Sequence, residues 1–207
     1  MSYTTYENFR TAVYSRLDLT TTDLTTTSMD DLIKDAEDVV NRSLRVSEME
    51  TALADTVTTN SVIPVPSNYL EAKNLYLDAS PQIALSLKTA EWIRRNYPTR
   101  SSTGRPSYFA KEGANFIFGP VPDSSYTMQG IYYARPNSLP GTSTVNSVFS
   151  AYPSLYLSAA CAEVERFLRR FDAAAMWDNR VAVLIGQANS QSTKREFSGG
   201  PLRMSPG

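Results

Sequence analysis

The stretch from Tyr152 to Ala188 reads YPSLYLSAACAEVERFLRRFDAAAMWDNRVAVLIGQA, and its reading decides the fold. Pro153 marks a helix start, because the first helical position needs no backbone N–H. Apolar residues follow at helical spacing: Tyr156, Ala160, Val164, Phe167, Leu168 and Phe171. Asp172 then breaks the pattern and is suited to capping a new helix. A second series runs Met176, Trp177, Val181, Leu184, Ile185 and Ala188. Two amphipathic helices with almost no loop between them either fold back as a hairpin or continue through a kink. In both cases they carry the largest apolar surface that the sequence predicts.

Two further helices are predicted at the N-terminus. Tyr6, Phe9, Val13 and Leu17 share one face of a helix over 3–17. Asp18 to Thr27 is a Thr-rich loop, since Thr and Asp compete for backbone hydrogen bonds. Ser28, with Asp31 three residues on, resembles a capping box. The helix after it has Met29, Leu32, Ile33, Ala36, Val40 and Leu44 on one stripe and Asp30, Lys34, Glu37, Asp38 and Arg45 opposite.

Between these helix pairs the period changes. Glu48 to Val65 is rich in Thr and Val with turn residues at Thr59-Asn60, which predicts a hairpin. Pro64 and Pro66 end it, because prolines do not sit in central strands. Ser67-Asn68-Tyr69 predicts a tight turn. Leu75 to Leu77 and Ile83 to Leu87 are short strands separated by a turn at Asp78 to Pro81. Thr89 caps a short helix that stops before Pro98. Residues 99–106 form a polar loop. Tyr108 to Ala110 and Phe116 to Phe118 form a hairpin through Lys111-Glu112-Gly113, and Tyr126 to Tyr133 is the longest strand, with Tyr126, Met128, Gly130 and Tyr132 on one face. After Ala188 the chain turns polar and ends in SGGPLRMSPG, which cannot pack a core of its own. The expected class is α+β: a helical bundle from N- and C-terminal helices (1–47 and 150–195), a β-rich insertion (48–149) and an extended C-terminal tail (196–207).

Composition narrows the chemistry. The 207 residues are 42% hydrophobic and 20% charged, as in globular proteins. No apolar run is long enough to span a bilayer, so no membrane partner is expected. The first ten residues lack the basic flank and apolar core of a signal peptide. Cys161 is the single cysteine and falls in a helix core pattern; the lack of disulfides fits assembly in a reducing compartment. There is no histidine, which removes His-based triads and imidazole metal sites. No Gly-rich phosphate loop or EF-hand spacing occurs, and the acids Asp30-Asp31 and Asp35 to Asp38 occupy successive helix positions that do not converge on an ion. No catalytic residue, metal or cofactor is expected.

Charge is unevenly spread. Residues 1–80 carry 6 basic and 13 acidic residues, whereas residues 166–207 carry 7 and 3. An acidic head and a basic end can face each other across neighbouring copies or meet two different partners. Arg166, Arg169 and Arg170 form a basic stripe at helical spacing. It either touches phosphates or an acidic partner, or pairs with Glu163, Glu165 and Asp172 nearby. Twelve tyrosines, among them Tyr108, Tyr126 and Tyr132, point weakly to an interaction protein, since tyrosine suits surfaces that are apolar at one end and wet at the other.

The segments AEDVVNRSLRVSEME, VIPVPSNYLEAKNLYLD, GRPSYFAKEGANFIFGPVPDSSYTMQGIYYARPNSLP, YPSLYLSAACAEVERFL and MWDNRVAVLIGQ occur in an order that resembles head-to-tail adaptor (connector) proteins of tailed bacteriophages. The resemblance covers roughly residues 3–195 and lies in the combination of motifs, none of them catalytic. It implies a structural, non-enzymatic protein of the virion neck, assembled in the bacterial cytoplasm. Such adaptors form a homo-oligomeric ring, usually of twelve copies, beneath the portal protein. The ring extends the channel through which double-stranded DNA passes without specific binding, and it docks the tail nozzle or tail-tube protein. The resemblance also implies that the C-terminal segment, Ser198, Gly199, Gly200, Pro201, Leu202, Arg203 and Met204, contacts the portal. Arg166, Arg169, Arg170, Tyr108, Tyr126 and Tyr132 are the candidates for contacts between subunits or with partners. Two rival readings are a virion-associated cell-wall hydrolase, for which no motif is present, and a DNA-binding module using the arginine stripe, against which the acidic first 80 residues argue.

Overall fold

The computed structural model describes residues 3–57, 62–99, 103–140 and 145–197. It is a mixed α/β structure with helices at both ends of the chain and several sheets between them. Packing divides the chain into two compact units, Met1–Met49 with Pro136–Gly207, and Glu50–Arg135.

In the first unit, α1 (Tyr6–Arg16) starts where the Thr5 hydroxyl accepts the Asn8 N–H, and it buries Tyr6, Phe9, Val13 and Tyr14. α2 (Thr26–Ser43) starts a turn earlier than the Ser28–Asp31 pattern predicts. The extended Thr25 is its cap and its hydroxyl accepts the Ser28 N–H, so Ser28 already lies inside the helix. α2 buries Met29, Ile33, Ala36 and Val40, as its stripe requires, but also Glu37, which periodicity assigned to the polar face. The Glu37 carboxylate accepts the Ser138 hydroxyl at 2.7 Å and the Leu139 N–H at 2.9 Å, which is why a charge is tolerated there.

α3 (Ala90–Asn96) belongs to the second unit. In the first unit, α4 (Ser147–Ala151) is a short helix capped by Asn146, whose side chain accepts the Phe149 N–H at 2.8 Å. α5 (Pro153–Phe167) is the centre of this unit, with Pro153 in its first turn. Every residue from Leu155 to Ala162 is buried, because α1, α2, α4 and α6 (Phe171–Phe197) all pack against it. A helix apolar on all sides needs such surroundings. Phe149 fills one end of this core, edge-on to Phe9 at 4.9 Å and Tyr156 at 5.4 Å. α6 folds back along α5, which selects the hairpin over the kink.

The α5–α6 connection corrects the expected cap. Arg169, at φ 59°, is left-handed; its N–H reaches the Arg166 carbonyl and the Arg170 N–H reaches that of Glu165. These bonds form a Schellman turn, so α6 begins before Asp172, which falls within its first turn. α6 also runs past Ala188. Its polar side chains serve the segment leaving α2: Asn189 bonds the Arg45 N–H (2.8 Å) and the Ser43 carbonyl (3.0 Å), and Ser192 accepts the Ser47 N–H at 3.0 Å.

In the second unit, β1 (Glu50–Val57) and β2 (Val62–Pro64) are not paired as a hairpin; they enter two different sheets. β1 pairs antiparallel with β10 (Tyr126–Ala134), which also pairs with β3 (Tyr69–Asp78), and β4 (Ile83–Ala84) adds the far edge. β2 pairs with β8 (Asn115–Gly119), β8 with β7 (Tyr108–Glu112), and β7 with β5 (Ser86–Leu87). Pro64 thus lies in an edge strand, where its missing N–H costs little. β6 (Thr103–Gly104) and β9 (Val121–Pro122) form a separate parallel pair. Leu53, Leu75, Leu77 and Met128 of one sheet and Ile63, Phe109, Phe116 and Phe118 of the other share one core. The expected hairpin at 108–118 and the Thr89 cap of α3 are both present. The Thr59-Asn60 turn lies outside the described residues.

Candidate docking surfaces

The basic stripe separates into three different environments. Only Arg166 is helical. It lies between Glu163 (2.6 Å) on its own helix and Asp178 (2.8 Å) on α6, clasping the two helices, and both acids hold its guanidinium charged. Arg170 lies after the turn, 3.5 Å from the largely buried Glu165. Arg169 is exposed, and its guanidinium has no ion-pair or hydrogen-bond partner among the described residues. The expected stripe therefore does not exist on one helix face, because α5 ends at Phe167. The acids at Glu163 and Glu165 are paired as foreseen, while Asp178 replaces Asp172.

A non-glycine residue at a left-handed position costs roughly 1 kcal/mol or more, since its Cβ crowds the following carbonyl. Arg169→Gly is therefore expected to raise stability by about 0.5–1 kcal/mol, after the extra chain entropy of glycine is subtracted. A urea midpoint that falls instead would contradict the turn geometry described above.

Around this turn the apolar pattern reaches the surface. Phe167 (56% exposed), Phe171 (64%) and Met176 (75%), assigned to the core by spacing, are open, as is Val183 (58%). α6 buries only one line of side chains, including Ala174, Val181, Ala188 and Ser192.

In the second unit the tyrosine candidates also diverge. Tyr108 joins Trp92 (4.8 Å between centroids) and Tyr97 (6.3 Å) in a half-buried aromatic shelf, over which Lys88 lies 5.3 Å from Trp92 and 5.8 Å from Tyr108. Beside it Arg94 makes a two-pronged bond to Glu112 at 2.9 and 2.5 Å, which holds that carboxyl below its usual range. A groove of about 150 Å³ runs along Ile93, Tyr97, Pro98 and Ile117. Tyr126 is half-buried and donates to Asp123 at 2.6 Å. Tyr132 is a correction: it is 5% exposed, stacked on Tyr69 at 5.7 Å and bonded to Asn68 at 3.0 Å, so its ring serves the core instead of a partner. Ser198, Gly199, Gly200, Pro201, Leu202, Arg203 and Met204 lie outside the described residues.

Among the described residues no group of three acids or thiols converges as a metal site, and no helix is long and apolar enough to cross a membrane. Cys161 is fully buried and its thiol is pushed up to about 12, chiefly by that burial.

The candidate surfaces lie on two compact units. The family model described as SU10 adaptor protein matches residues 4–205, nearly the whole chain. The chain belongs to the SU10 adaptor family. This is a phage head-to-tail adaptor family, so the adaptor is a structural component of the virion that associates with portal and tail proteins. No curated protein matches the adaptor. The surface that spacing alone missed is the exposed apolar side of α6; its signal was the excess of apolar residues around FLRRF (167–171) over what one packed stripe requires.

Proposed function

We propose that this adaptor forms a ring beneath the portal protein in the phage neck, extends the DNA channel and presents a docking surface to the tail nozzle or tail-tube protein. The match to the SU10 adaptor family over residues 4–205 carries this reading. In it the protein acts without catalysis or cofactor: it holds two partners in register, in a ring of about twelve copies as the resemblance implies, and lets double-stranded DNA pass without gripping it. The open apolar side chains Phe167, Phe171 and Met176 supply surface that association would cover. The aromatic shelf of Trp92, Tyr97 and Tyr108 is the candidate for the tail-side contact, since aromatic side chains dominate interface energetics. The segment Ser198 to Gly207 is the candidate for the portal contact.

The test is to mix the purified adaptor with its portal and image the product by electron microscopy. Rings on the portal are expected. An adaptor that stays monomeric and never binds the portal overturns the reading. Deleting Ser198 to Gly207 is expected to weaken portal binding at least tenfold while leaving the far-ultraviolet dichroism unchanged. Unchanged affinity would remove that segment from the contact.

A further inference from the structure

We infer that a cleft on the first unit, where the start of α5 and the end of α1 meet α6, binds an extended peptide segment of a partner that carries an acidic side chain between two apolar ones. The site is complete within one chain, so it stands or falls separately from the ring reading above.

Three cavities adjoin along α6. The first, about 310 Å³, is lined by Ala173, Met176, Trp177 and Arg180. These positions are i, i+3, i+4 and i+7, so they share one face of the helix. The second, about 100 Å³, shares Trp177 and Arg180 with the first and adds Arg16 from α1 and Ser154 from α5. The third, about 200 Å³, shares Ser154 with the second and is walled largely by apolar side chains, Leu155 and Leu184 among them. Leu184 lies one turn beyond Arg180 and continues its line. The cleft is thus largely apolar at both ends and cationic in the middle.

The middle holds two charges that the chain does not use. Neither the Arg16 nor the Arg180 guanidinium has an ion-pair or hydrogen-bond partner among the described residues; Arg180 only lies 6.0 Å from the centre of the Trp177 ring. Elsewhere Arg10, Arg94 and Arg166 each have a carboxylate within 3.2 Å. Arg16 and Arg180 come from opposite ends of the chain, yet both charges are felt at the buried Cys161 thiol, so they stand over the same stretch of α5. Like charges facing one cavity repel each other unless an anion lies between them. No acid is among the described residues that line the three cavities. A carboxylate meets such a pair with charge-assisted hydrogen bonds.

Spacing defines the rest of the segment. Met176 to Leu184 spans about 12 Å of helix, with Arg180 midway. Four residues of extended chain span about 13 Å, and alternate side chains point the same way. An apolar side chain, an acid two residues on and a second apolar side chain two beyond that therefore reach the three cavities together. A DNA duplex offers a continuous row of phosphates and nothing apolar for the flanking cavities, which favours a peptide.

Tryptophan fluorescence of the full chain tests this, in a Trp92→Phe background that leaves Trp177 as the reporter. The probe is the peptide acetyl-Ser-Leu-Ser-Glu-Ser-Leu-Ser-amide. A saturable change is expected at millimolar peptide or below. Gln in place of the probe's Glu is expected to weaken binding about tenfold or more, as is Arg16→Gln with Arg180→Gln in the chain. The comparison of the Glu and Gln probes leaves the cleft unaltered, so it decides even where a variant misfolds. Arg16→Glu with Arg180→Glu is expected to reverse the preference, so that a probe with Lys in that place binds better than the Glu probe. No saturable change, or equal binding of the Glu and Gln probes, would overturn the proposal. Inorganic phosphate or a short DNA duplex that binds as tightly as the Glu probe, and loses binding with the same arginines, would assign the cleft to phosphate and overturn it as well.

Discussion

Replacing Gly130 by alanine is expected to cost the second unit about 3 kcal/mol or more, at the top of the range for overpacked positions. β10 is an inner strand, paired with β1 on one side and β3 on the other. Opposite Ile131 the β3 register skips a residue, Asn74 facing Ile131 and Ala72 facing Tyr132, and the Asn74 side chain takes the Ile131 N–H at 3.1 Å. This bulge pushes β3 backbone toward Gly130. A Cβ there would come 2.1 Å from the Asn74 carbonyl oxygen and 2.9 Å from the Leu75 Cα, both main-chain atoms that cannot swing aside. Relief requires β3 to move, which breaks the ladder on both sides of the bulge. Urea unfolding followed through Trp92, in a Trp177→Phe background that leaves it the only tryptophan, measures the loss. Gly186→Ala provides the contrast: it is helical and open, so it is expected to gain up to about 1 kcal/mol. Equal effects at the two glycines would refute the steric account.

The position of Gly130 also shows how far sequence alone reaches. Alternation put Met128, Gly130 and Tyr132 on one face of a strand, and all three are buried. The neighbours of that strand were not legible. β1 pairs with residues 69 to 83 positions further along the chain in β10, and the Thr- and Val-rich run from Glu48 read equally well as a local hairpin. Local signals are chemical: Pro153 at a helix start, Thr89 as a cap, Gly113 at φ 60° in the turn after Glu112. Strand partners are chosen by the shared core of Leu53, Ile63, Phe116 and Met128, which no window of sequence contains.

The candidate surfaces were legible to a lesser degree. Spacing identifies which residues share a helix face, but it cannot say whether this chain or another covers that face. Phe167, Phe171 and Met176 were therefore counted as core, and they are open. The arginines were read as one stripe because nothing in FLRRF signals a helix end; the turn there uses Arg169 where glycine is the usual mark. The polar stretch after Ala188 was placed in the bundle as far as residue 195, but no apolar spacing there marked it as helix. It is helical because Asn189 and Ser192 satisfy backbone groups between Ser43 and Ser47, about 145 residues away. The family was legible from the order of motifs, and the family model matches residues 4–205.

Glu37→Ala is expected to cost the first unit about 2–3 kcal/mol, the range for losing hydrogen bonds to a buried charged group. The carboxylate ties α2 to the chain returning from the β-rich unit by accepting from Ser138 and Leu139, and truncation strips the buried Leu139 N–H of that acceptor. Glu37→Gln keeps an amide oxygen for Leu139 and an amide N–H for the Ser138 oxygen, so it is expected to lose less than about 1 kcal/mol. The charge is separable by pH. Burial pushes the carboxyl above its ordinary value of 4.5, outweighing the pull of the two hydrogen bonds in the other direction. The native state thus holds the proton more tightly than the unfolded chain does. The stability this group contributes is complete below the unfolded value and is lost as pH rises through the folded one. Above the ordinary value of 4.5, up to the raised folded one, the unfolding free energy of the wild type should therefore carry a component that falls with pH and that Glu37→Gln lacks. Urea titrations of both proteins across that interval measure it. Parallel profiles would mean that Glu37 titrates alike in the folded and unfolded chains, and a Gln variant as unstable as the Ala variant would show that the two bonds to the returning segment do not hold it.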